Sequence, residues 1–436
     1  MQFRSTKSNT SQGVSLKEAV LRCLPSDGGL YVPSQIADLR QIFLDMDGEI
    51  SYHELVAAVA PAFFQGELLP RSIAKVAESA FDFEPELKQL DESLSVLNLC
   101  NGCTGTFKDF AVTFLAAMLE ELLENGRHVM VLSAARGNTG ANLERAFYRR
   151  RGLTSVILYP TGPIRGINTA SYVPNGGNII PVQIRGTLDD CQRLITETIN
   201  DRPFAERHNI TSANTINSGT LLAQTLFYFY AFIKIKKRLK GDLFFSVPSG
   251  NFGNFISGLY AWKFGLPVSG FIAAMNVNNA MGDFFQSRKF ERHSVISTKS
   301  QALDVSVPLN YPRLSSLYDE VPAVMRNMVF PASIDDNATV KTMEQAWKQY
   351  GILLDPQSAV AFAAATGFLE TGKFPFAHVI VLATGHPARD AGMVGEATGQ
   401  AVSLPEKFFQ LKKESDPIAL IEPHLNALQG AIASCI

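Results

Sequence analysis

From Leu97 onward, the sequence alternates short apolar runs with longer amphipathic ones. The short runs predict strands over residues 129–132, 156–159, 243–247 and 379–382. The amphipathic runs predict a helix over residues 110–123, a second through Glu144 and Arg151, and a third over residues 255–264. This alternation is typical of an α/β fold, in which helices cover both faces of a largely parallel sheet. Ligands of such folds bind beyond the carboxyl ends of the strands.

The first 95 residues have a different character. They mix short helical patterns with turn signals such as Asp27-Gly28-Gly29 and contain no Gly-rich loop. A chain of 436 residues is long enough for two or three domains, each with its own core. We therefore predict an N-terminal domain over residues 1–95, an α/β lobe over residues 96–240 and a second α/β lobe over residues 241–436.

Composition and charge argue against several classes of protein. The formal net charge is −2, which gives no electrostatic reason to expect nucleic acid as a partner. The longest apolar run, residues 221–233, is interrupted by Gln224 and is shorter than the roughly 18 residues of a membrane span. Cys100 and Cys103 lack the further ligands of a zinc site, so we expect no metal. Residues 1–10 carry no apolar stretch typical of a secretory signal, and we expect a cytoplasmic protein.

Three polar turns follow predicted strands, and each offers groups that could bind a phosphorylated cofactor. In the clearest turn the glycines allow close approach to a ligand, and the amides of the following helix face an anion; its residues are Ser249, Gly250, Asn251, Phe252, Gly253 and Asn254. The other two turns are residues 136–140 and residues 384–387. A single Gly-rich turn of this kind can also be purely structural.

Lys108 is the fourth element of this pattern. It follows the turn Thr104-Gly105-Thr106-Phe107 at the start of the predicted helix, where the helix dipole lowers the pKa of an amine. A neutral amine is what Schiff-base chemistry requires. A lysine at a helix start is usually only a surface charge, so the prediction depends on the combination of Lys108 with the three turns.

Together these motifs resemble the threonine synthase family. They are Phe107-Lys108-Asp109-Phe110, Gly137-Asn138-Thr139-Gly140, Pro248-Ser249-Gly250-Asn251-Phe252-Gly253-Asn254 and Thr384-x-His386-Pro387-Ala388, in matching order and spacing. The similarity extends to Asp27-Gly28-Gly29-Leu30-Tyr31-Val32-Pro33 and to Asn214-Thr215-Ile216-Asn217. It implies the tryptophan-synthase-β fold (fold type II), the cofactor pyridoxal 5′-phosphate, and conversion of O-phosphohomoserine to threonine and phosphate.

The resemblance also implies roles for individual residues. Lys108 matches the lysine that forms a Schiff base with the cofactor and later moves protons. The turn from Ser249 to Asn254 matches the cradle of the cofactor phosphate. Asn138 matches the residue beside the pyridoxal 3′-oxygen, and Thr384 matches the hydroxyl that faces the pyridine nitrogen.

The substrate-binding half of the pattern departs from the family. Members usually have His-Gly-Pro-Thr where this chain has Asn101-Gly102-Cys103-Thr104, and often an arginine where it has Thr220. The family usually has Lys where this chain has Arg389. We expect an anionic substrate to contact relocated arginines, and the predicted substrate-binding residues are Thr104, Arg136, Gly137, Thr139, Arg165 and Asn217.

Two alternatives remain open at this stage. A paralogue could carry out β- or γ-elimination or replacement on another amino acid, and a binding protein could retain the fold without turnover. Lys108 argues against the second alternative, because a pure binder needs no Schiff-base lysine. We expect a small amino acid as the ligand and a monomer or homodimer as the assembly.

Overall fold

The computed structural model describes residues 1–8, 13–124, 126–135, 138–161, 177–403, 405 and 419–434; for residues 138, 139 and 141 it describes the backbone alone. In these residues no helix is both long enough and apolar enough to cross a membrane.

The strands of the described chain are, in order, β1 (Gln2–Ser5), β2 (Val14–Ser15), β3 (Tyr31–Gln35), β4 (Glu86–Gln89), β5 (Leu94–Asn98), β6 (Val129–Ala134), β7 (Leu153–Pro160), β8 (Ile179–Ile184), β9 (Ile210–Ser212), β10 (Leu243–Pro248), β11 (Gly270–Met275), β12 (Val329–Ser333), β13 (His378–Ala383) and β14 (Ala419–Ile421).

The helices are α1 (Leu16–Arg22), α2 (Arg40–Asp45), α3 (Tyr52–Phe64), α4 (Pro70–Ala80), α5 (Lys108–Leu122), α6 (Asn138–Phe147), α7 (Leu188–Asn200), α8 (Arg202–Arg207), α9 (Ser218–Ile235), α10 (Gly253–Lys263), α11 (Ala280–Ser287), α12 (Tyr311–Glu320), α13 (Pro322–Met328), α14 (Asp336–Tyr350), α15 (Pro356–Glu370), α16 (Ala391–Thr398) and α17 (Leu425–Ser434).

Two largely parallel sheets form the body of the protein. The six-stranded sheet has the order β12-β11-β10-β13-β5-β4, and β4 alone runs antiparallel to its neighbour. The five-stranded sheet has the order β14-β8-β7-β6-β9, with every pair parallel. Strands β6, β10, β11 and β13 are buried along their whole length, as expected where helices cover both faces. The predicted α/β class with parallel-rich sheets is confirmed.

The N-terminal segment forms a small antiparallel sheet of order β2-β1-β3, followed by α1 to α4. Helix α9 lies at the centre of the molecule, and its residues are buried except at Lys234. A helix that is apolar on all sides must be covered on all sides, which explains why α9 packs against α3, α5 and α10. The long apolar run of residues 221–233 therefore lies within a buried helix.

The other predicted elements are also present, with small differences at their ends. The strands predicted over residues 156–159 and 379–382 are longer by one to three residues at each end. Helix α6 stops at Phe147, before the predicted end at Arg151. Its continuation is blocked because Arg149 adopts a left-handed backbone with φ of 59°.

The domain boundaries predicted from the sequence do not separate the strands of one sheet from those of the other. Strand β5 spans the predicted boundary at residue 96, and it pairs with β13 in the same sheet as β10. Strand β14 lies far beyond residue 241, yet it pairs with β8 in the five-stranded sheet. Sheet membership depends on which strands pair in space, which local sequence patterns do not reveal. The division into three domains remains a prediction.

Candidate active site

Three of the predicted functional segments follow three neighbouring strands of the six-stranded sheet. Strands β10, β13 and β5 are adjacent and parallel, so their carboxyl ends lie at one edge. The turn 249–254 follows β10, Thr384 follows β13, and the segment leading to Lys108 follows β5. The sequence motifs therefore converge where ligands of α/β sheets bind.

Backbone hydrogen bonds hold the Lys108 segment against the Thr384 segment. The amide of Phe107 donates to the carbonyl of Thr384 at 3.1 Å, and the amide of His386 donates to the carbonyl of Gly105 at 2.8 Å. Thr106 and Gly385 form an antiparallel bridge between these two contacts. The two segments act as a short ribbon that fixes Lys108 beside Thr384.

Lys108 is the first residue of α5, as predicted. Its side chain is reached by solvent, yet loss of hydration lowers the pKa of the amine to about 8, with a second contribution from the positive charge of Arg389. The amine therefore lies in an open cleft, surrounded by protein but in contact with water. The sequence-based explanation named the helix dipole, whereas the structure gives partial dehydration as the main cause.

The turn after β10 has the form of an anion cradle. Helix α10 begins at Gly253 without a side-chain cap, because Phe252 at the N-cap position has no acceptor atom; its backbone is left-handed, with φ of 59°. In the described part of the chain, no carbonyl or side chain accepts a hydrogen bond from the amides of residues 250–254. Consecutive free amides at a helix start favour a phosphate.

Two further features of this turn suit a bound phosphate. A Cβ on Gly250 would lie 3.0 Å from the carbonyl oxygen of Ala302, so the backbone there passes too close to its neighbours for a larger residue. Asn254 is buried, and its Nδ2 has no hydrogen-bond partner among the described residues, while its Oδ1 accepts from the hydroxyl of Tyr228 at 2.8 Å. A buried amide donor left without a partner is costly unless a ligand fills it.

Thr384 supplies a neutral hydroxyl next to the cradle. Its amide donates to Ser358 Oγ at 2.9 Å, and the residue is 8% exposed. Within the described ranges its own hydroxyl makes no hydrogen bond to the protein. The full set of groups thus fits the expected pyridoxal 5′-phosphate, with an amine for its aldehyde, free amides for its phosphate and a neutral hydroxyl for its ring nitrogen.

The cradle is held from outside by Asn310, which sequence reasoning missed. Asn310 Nδ2 donates to the carbonyl of Asn251 at 3.1 Å and to Thr215 Oγ1 at 3.1 Å. The neighbouring amide of Leu309 donates to Asn251 Oδ1 at 3.2 Å. These contacts fix the middle of the turn while leaving its amides free.

Behind Asn310 lies Arg313, a fully buried arginine that was also missed. Its Nη1 donates to Asn310 Oδ1 at 2.6 Å and to the carbonyl of Thr215 at 2.6 Å. Its Nη2 donates to the carbonyl of Ile216 at 2.7 Å, and its Nε to the carbonyl of Tyr31 at 3.0 Å. Burial lowers the pKa of the guanidinium. Arg313 therefore ties the N-terminal sheet to the cradle through neutral acceptors.

Thr104 makes hydrogen bonds that hold the turn before Lys108, and its contact with the substrate remains a prediction. Its hydroxyl donates to Asp109 Oδ1 at 2.6 Å, and its amide donates to Asp109 Oδ2 at 2.9 Å. Burial raises the pKa of the Asp109 carboxyl to about 6. These bonds shape the turn that carries Lys108.

Asn217 is also held by hydrogen bonds within the protein, and its role in substrate binding remains a prediction. It is fully buried at the start of α9, and its Oδ1 accepts from the amide of Gly219 at 2.9 Å. Its Nδ2 donates to the carbonyls of Val20 and Ser212, each at 2.9 Å. Thr220 is also buried, and its hydroxyl donates to the carbonyl of Asn217 at 2.7 Å.

Other predicted residues fall where the description is incomplete. Arg136, Gly137 and Arg165 lie outside the described residues. Asn138 and Thr139 begin α6 directly after the turn that follows β6, and only their backbone is described. Their roles toward cofactor and substrate remain predictions.

Comparison with known families and proteins gives a consistent picture. Residues 86–385 match the family described as pyridoxal-phosphate dependent enzyme. Residues 2–81 match the threonine synthase N terminus, and residues 358–432 match the threonine synthase C-terminal family. A threonine synthase of Serratia marcescens is 33% identical over 93% of this chain and 93% of its own length. One of Escherichia coli strain K12 is 32% identical over 94% of each chain.

Solved structures agree with this result. The crystal structure of threonine synthase from Escherichia coli has a TM-score of 0.87 and 30% identity, covering 100% of both chains. A pyridoxal-phosphate-bound threonine synthase from Brucella melitensis has a TM-score of 0.87 and 26% identity, covering 100% of this chain and 99% of its own. Maize serine racemase, at 17% identity and a TM-score of 0.52 over 72% of this chain and 92% of its own, is similar in fold alone. The predicted type II fold is confirmed.

Proposed function

The chain belongs to the threonine synthases among the pyridoxal-phosphate dependent enzymes, and we propose that it forms threonine and phosphate from O-phosphohomoserine. The observation that carries the proposal is the meeting of Lys108, the cradle 249–254 and Thr384 at the edge formed by β5, β10 and β13. A single bound cofactor would contact all three, although they come from segments that are far apart in the chain.

The expected cofactor, pyridoxal 5′-phosphate, is confirmed by the family to which the chain belongs. When bound, it supplies an electron sink for the carbanion formed at the substrate. We propose that Lys108 holds its aldehyde, the amides of residues 250–254 its phosphate, Asn138 its 3′-oxygen and Thr384 its ring nitrogen.

Lys108 is suited to move protons between substrate carbons. With a pKa of about 8, about a tenth of the amine is neutral at pH 7 and can accept a proton, far more than for an ordinary lysine. The same group, once protonated, can return the proton to a neighbouring carbon. The ribbon between residues 105–107 and 384–386 keeps the amine in place during both transfers.

Thr384 and the cradle would orient the cofactor without placing a charged side chain beside it. A hydroxyl donates or accepts a hydrogen bond but does not protonate a ring nitrogen as a carboxylic acid would. Dipolar amides hold a phosphate without a counter-charged side chain, so the charge of Lys108 remains available for chemistry. In the proposed reaction the γ-phosphate leaves and water adds at Cβ.

A second candidate is the same chemistry on a different amino acid. Family members often have an arginine at the position of Thr220, which here is buried within α9 and bonded to Asn217. A threonine in that place supplies no charge for an anionic substrate. Either Arg136, Arg165 or another cation takes over that contact, or the substrate differs from O-phosphohomoserine.

Two measurements test the proposal in sequence. The purified protein is reduced with borohydride, and peptide mapping locates the pyridoxyl group, with Lys108→Ala as the variant and Lys75→Ala as the matched control. We expect an adduct at Lys108 that disappears only in Lys108→Ala. An adduct on another lysine, or none, refutes the cofactor assignment.

Phosphate release and threonine formation are then measured with O-phosphohomoserine. Equal amounts of both products support a threonine synthase. An adduct at Lys108 without either product supports the candidate that acts on another amino acid.

We also propose that the enzyme works in the cytoplasm on a small anionic amino acid, as a monomer or homodimer without nucleic acid. The near-neutral charge balance, −2 over the chain, supports the part of this proposal that excludes nucleic acid as a partner. Light scattering of the holoenzyme at several concentrations tests the assembly, and a tetramer would contradict it.

A further inference from the structure

Asp355 packs against the ribbon that joins the Lys108 loop to the Thr384 segment, and the proposed cofactor contacts give it no role. It is 3% exposed and occupies the N-cap position of α15, where its Oδ1 accepts a hydrogen bond from the amide of Ser358 at 3.0 Å. Its Oδ2 fills the space in which Gly385 would carry a Cβ. The carboxyl is therefore in direct contact with the backbone that follows Thr384.

Ser358 connects this carboxyl to Thr384. The side chain of Ser358 is fully buried, and its Oγ accepts a hydrogen bond from the amide of Thr384 at 2.9 Å. The next residue, Gly385, bridges to Thr106 in the loop of the reactive amine. Asp355 thus acts on the ribbon at two adjacent residues, at Thr384 through Ser358 and at Gly385 directly.

The need for a helix cap does not explain a buried carboxyl at this position. Burial raises the pKa of Asp355 to about 7, although a hydrogen bond from the Ser358 side chain acts in the opposite direction. Asparagine and serine cap helices as well as aspartate does, and a neutral side chain is buried at lower cost than an ionisable one. Capping alone therefore gives no reason to place an aspartate here.

Helix α14 provides an ordinary aspartate cap for comparison. Asp335 has the same extended backbone at the N-cap position as Asp355, and its side chain accepts from the amide of Ala338 at 2.8 Å. Helices α14 and α15 each contain 15 residues. Asp335 is exposed, however, and its helix follows β12, an edge strand three positions from β13 in the sheet. The two caps are thus alike in local geometry and differ in what lies behind them.

We propose that Asp355 is a positioning residue: through Ser358 and Gly385 it fixes the ribbon, so that Lys108 and Thr384 keep the spacing that one bound cofactor requires. This inference rests on the proposed function, which assigns the cofactor contacts to Lys108 and Thr384. Asp355 acts on the reacting atoms through its neighbours. A displacement of about 1 Å at reacting groups lowers the rate by about 100-fold, so a small shift of the ribbon has a large effect.

The test compares Asp355→Ala with Asp335→Ala, which removes the matched cap of α14. Asp355→Asn keeps an acceptor for Ser358, and Ser358→Ala removes the acceptor of the Thr384 amide while its own amide still reaches the cap of α15. For each holoenzyme we measure the melting temperature and the visible absorption band of the bound cofactor as a function of pH. The kcat and KM are then measured with O-phosphohomoserine.

Loss of either aspartate cap should lower the melting temperature by a similar amount, because the two caps make the same bond. We expect the visible band and the pH midpoint of its change to shift only in Asp355→Ala and Ser358→Ala, since both depend on the surroundings of the Lys108 nitrogen. In these two variants kcat falls by about 10- to 100-fold while KM changes little. Asp355→Asn should match the unsubstituted enzyme.

Several results would overturn the proposal. If Asp355→Ala melts at a lower temperature but keeps the band, its pH midpoint and the kcat of Asp335→Ala, then Asp355 is only a helix cap. An unshifted band in Ser358→Ala, or a shift in Asp355→Asn as large as in Asp355→Ala, contradicts positioning through hydrogen bonds. These two variants decide the question even if Asp355→Ala does not fold.

The absorption measurement separates this proposal from the proposed function, because the band requires the cofactor but no substrate. If the unsubstituted enzyme forms no threonine from O-phosphohomoserine, the proposed function fails. Shifted bands in Asp355→Ala and Ser358→Ala, with an unshifted band in Asp335→Ala, then still support the positioning role of Asp355. Bands that are the same in all three variants refute that role whatever the substrate.

Discussion

Replacing Arg313 by methionine tests whether one buried cation joins the N-terminal sheet to the cofactor cradle. Methionine keeps most of the apolar stem but removes every donor. The carbonyls of Thr215 and Ile216 and the Oδ1 of Asn310 then lose the donors at 2.6 Å, 2.7 Å and 2.6 Å. The carbonyl of Tyr31 keeps a donor, because the hydroxyl of Ser218 reaches it at 3.0 Å.

The magnitude follows from these three orphaned oxygens. Each buried acceptor without a partner costs about 1–3 kcal/mol. Removing the guanidinium also ends the cost of dehydrating an unpaired charge, which offsets part of this loss. We therefore expect the free energy of unfolding to fall by about 3 kcal/mol.

The assay is thermal unfolding of the holoenzyme, with Arg71→Met as the control. The entropy of unfolding is about 2.1 cal/mol/K per residue, so for a single cooperative unit of 436 residues the melting temperature falls by about 3 °C. The affinity for the cofactor is measured in parallel and should fall, since Asn310 loses the partner that orients it toward Asn251. A melting temperature within 1 °C of the control, together with unchanged cofactor affinity, would refute the reasoning.

Two further predictions concern Lys108 and Asn217. Acetylation of Lys108 in cofactor-free protein should reach half its maximal rate at about pH 8, because the lowered pKa favours the neutral amine. Ordinary surface lysines reach half their maximal rate at about pH 10. A midpoint near pH 10 for Lys108 would contradict the dehydration of this amine. Asn217→Ala should lower the melting temperature by about 3 °C, because the carbonyl of Ser212 loses the Asn217 donor and α9 loses its cap, while the carbonyl of Val20 keeps the hydroxyl of Thr211 as a donor and the KM stays constant. A raised KM with an unchanged melting temperature would contradict this and support a substrate contact of Asn217.

The sequence predicts the parts of the site that depend on local signals. Strands such as residues 243–247 and 379–382 are recognisable by their apolar runs, and the polar turns after them by their glycines. The rule that ligands bind beyond the carboxyl ends of parallel strands then brings Lys108, the cradle and Thr384 together. Those elements are in the expected places.

What the sequence does not predict depends on contacts between distant residues. The order β10-β13-β5 arises from pairing between strands that are up to hundreds of residues apart in the chain. The sequence therefore did not show that the predicted domain boundary at residue 96 falls inside β5. Arg313 has no local sign of burial, since an arginine on an amphipathic helix normally faces solvent. The sequence also does not show that Asn217 caps a buried helix, because such a cap and a ligand-binding asparagine have the same local sequence.

The pairing of β5 with β13 has a consequence for the order in which the enzyme is made. Cys100, next to β5, contacts the end of β13, although the two positions are 283 residues apart in the chain. At about 5–20 residues per second, a ribosome that has completed the Lys108 loop needs roughly 15–60 s more before β13 emerges. During that interval one edge of β5 has no native partner, and nascent chains with open strand edges are prone to aggregate. The loop that carries Lys108 is thus synthesised well before the segment after β13 to which its backbone is hydrogen-bonded.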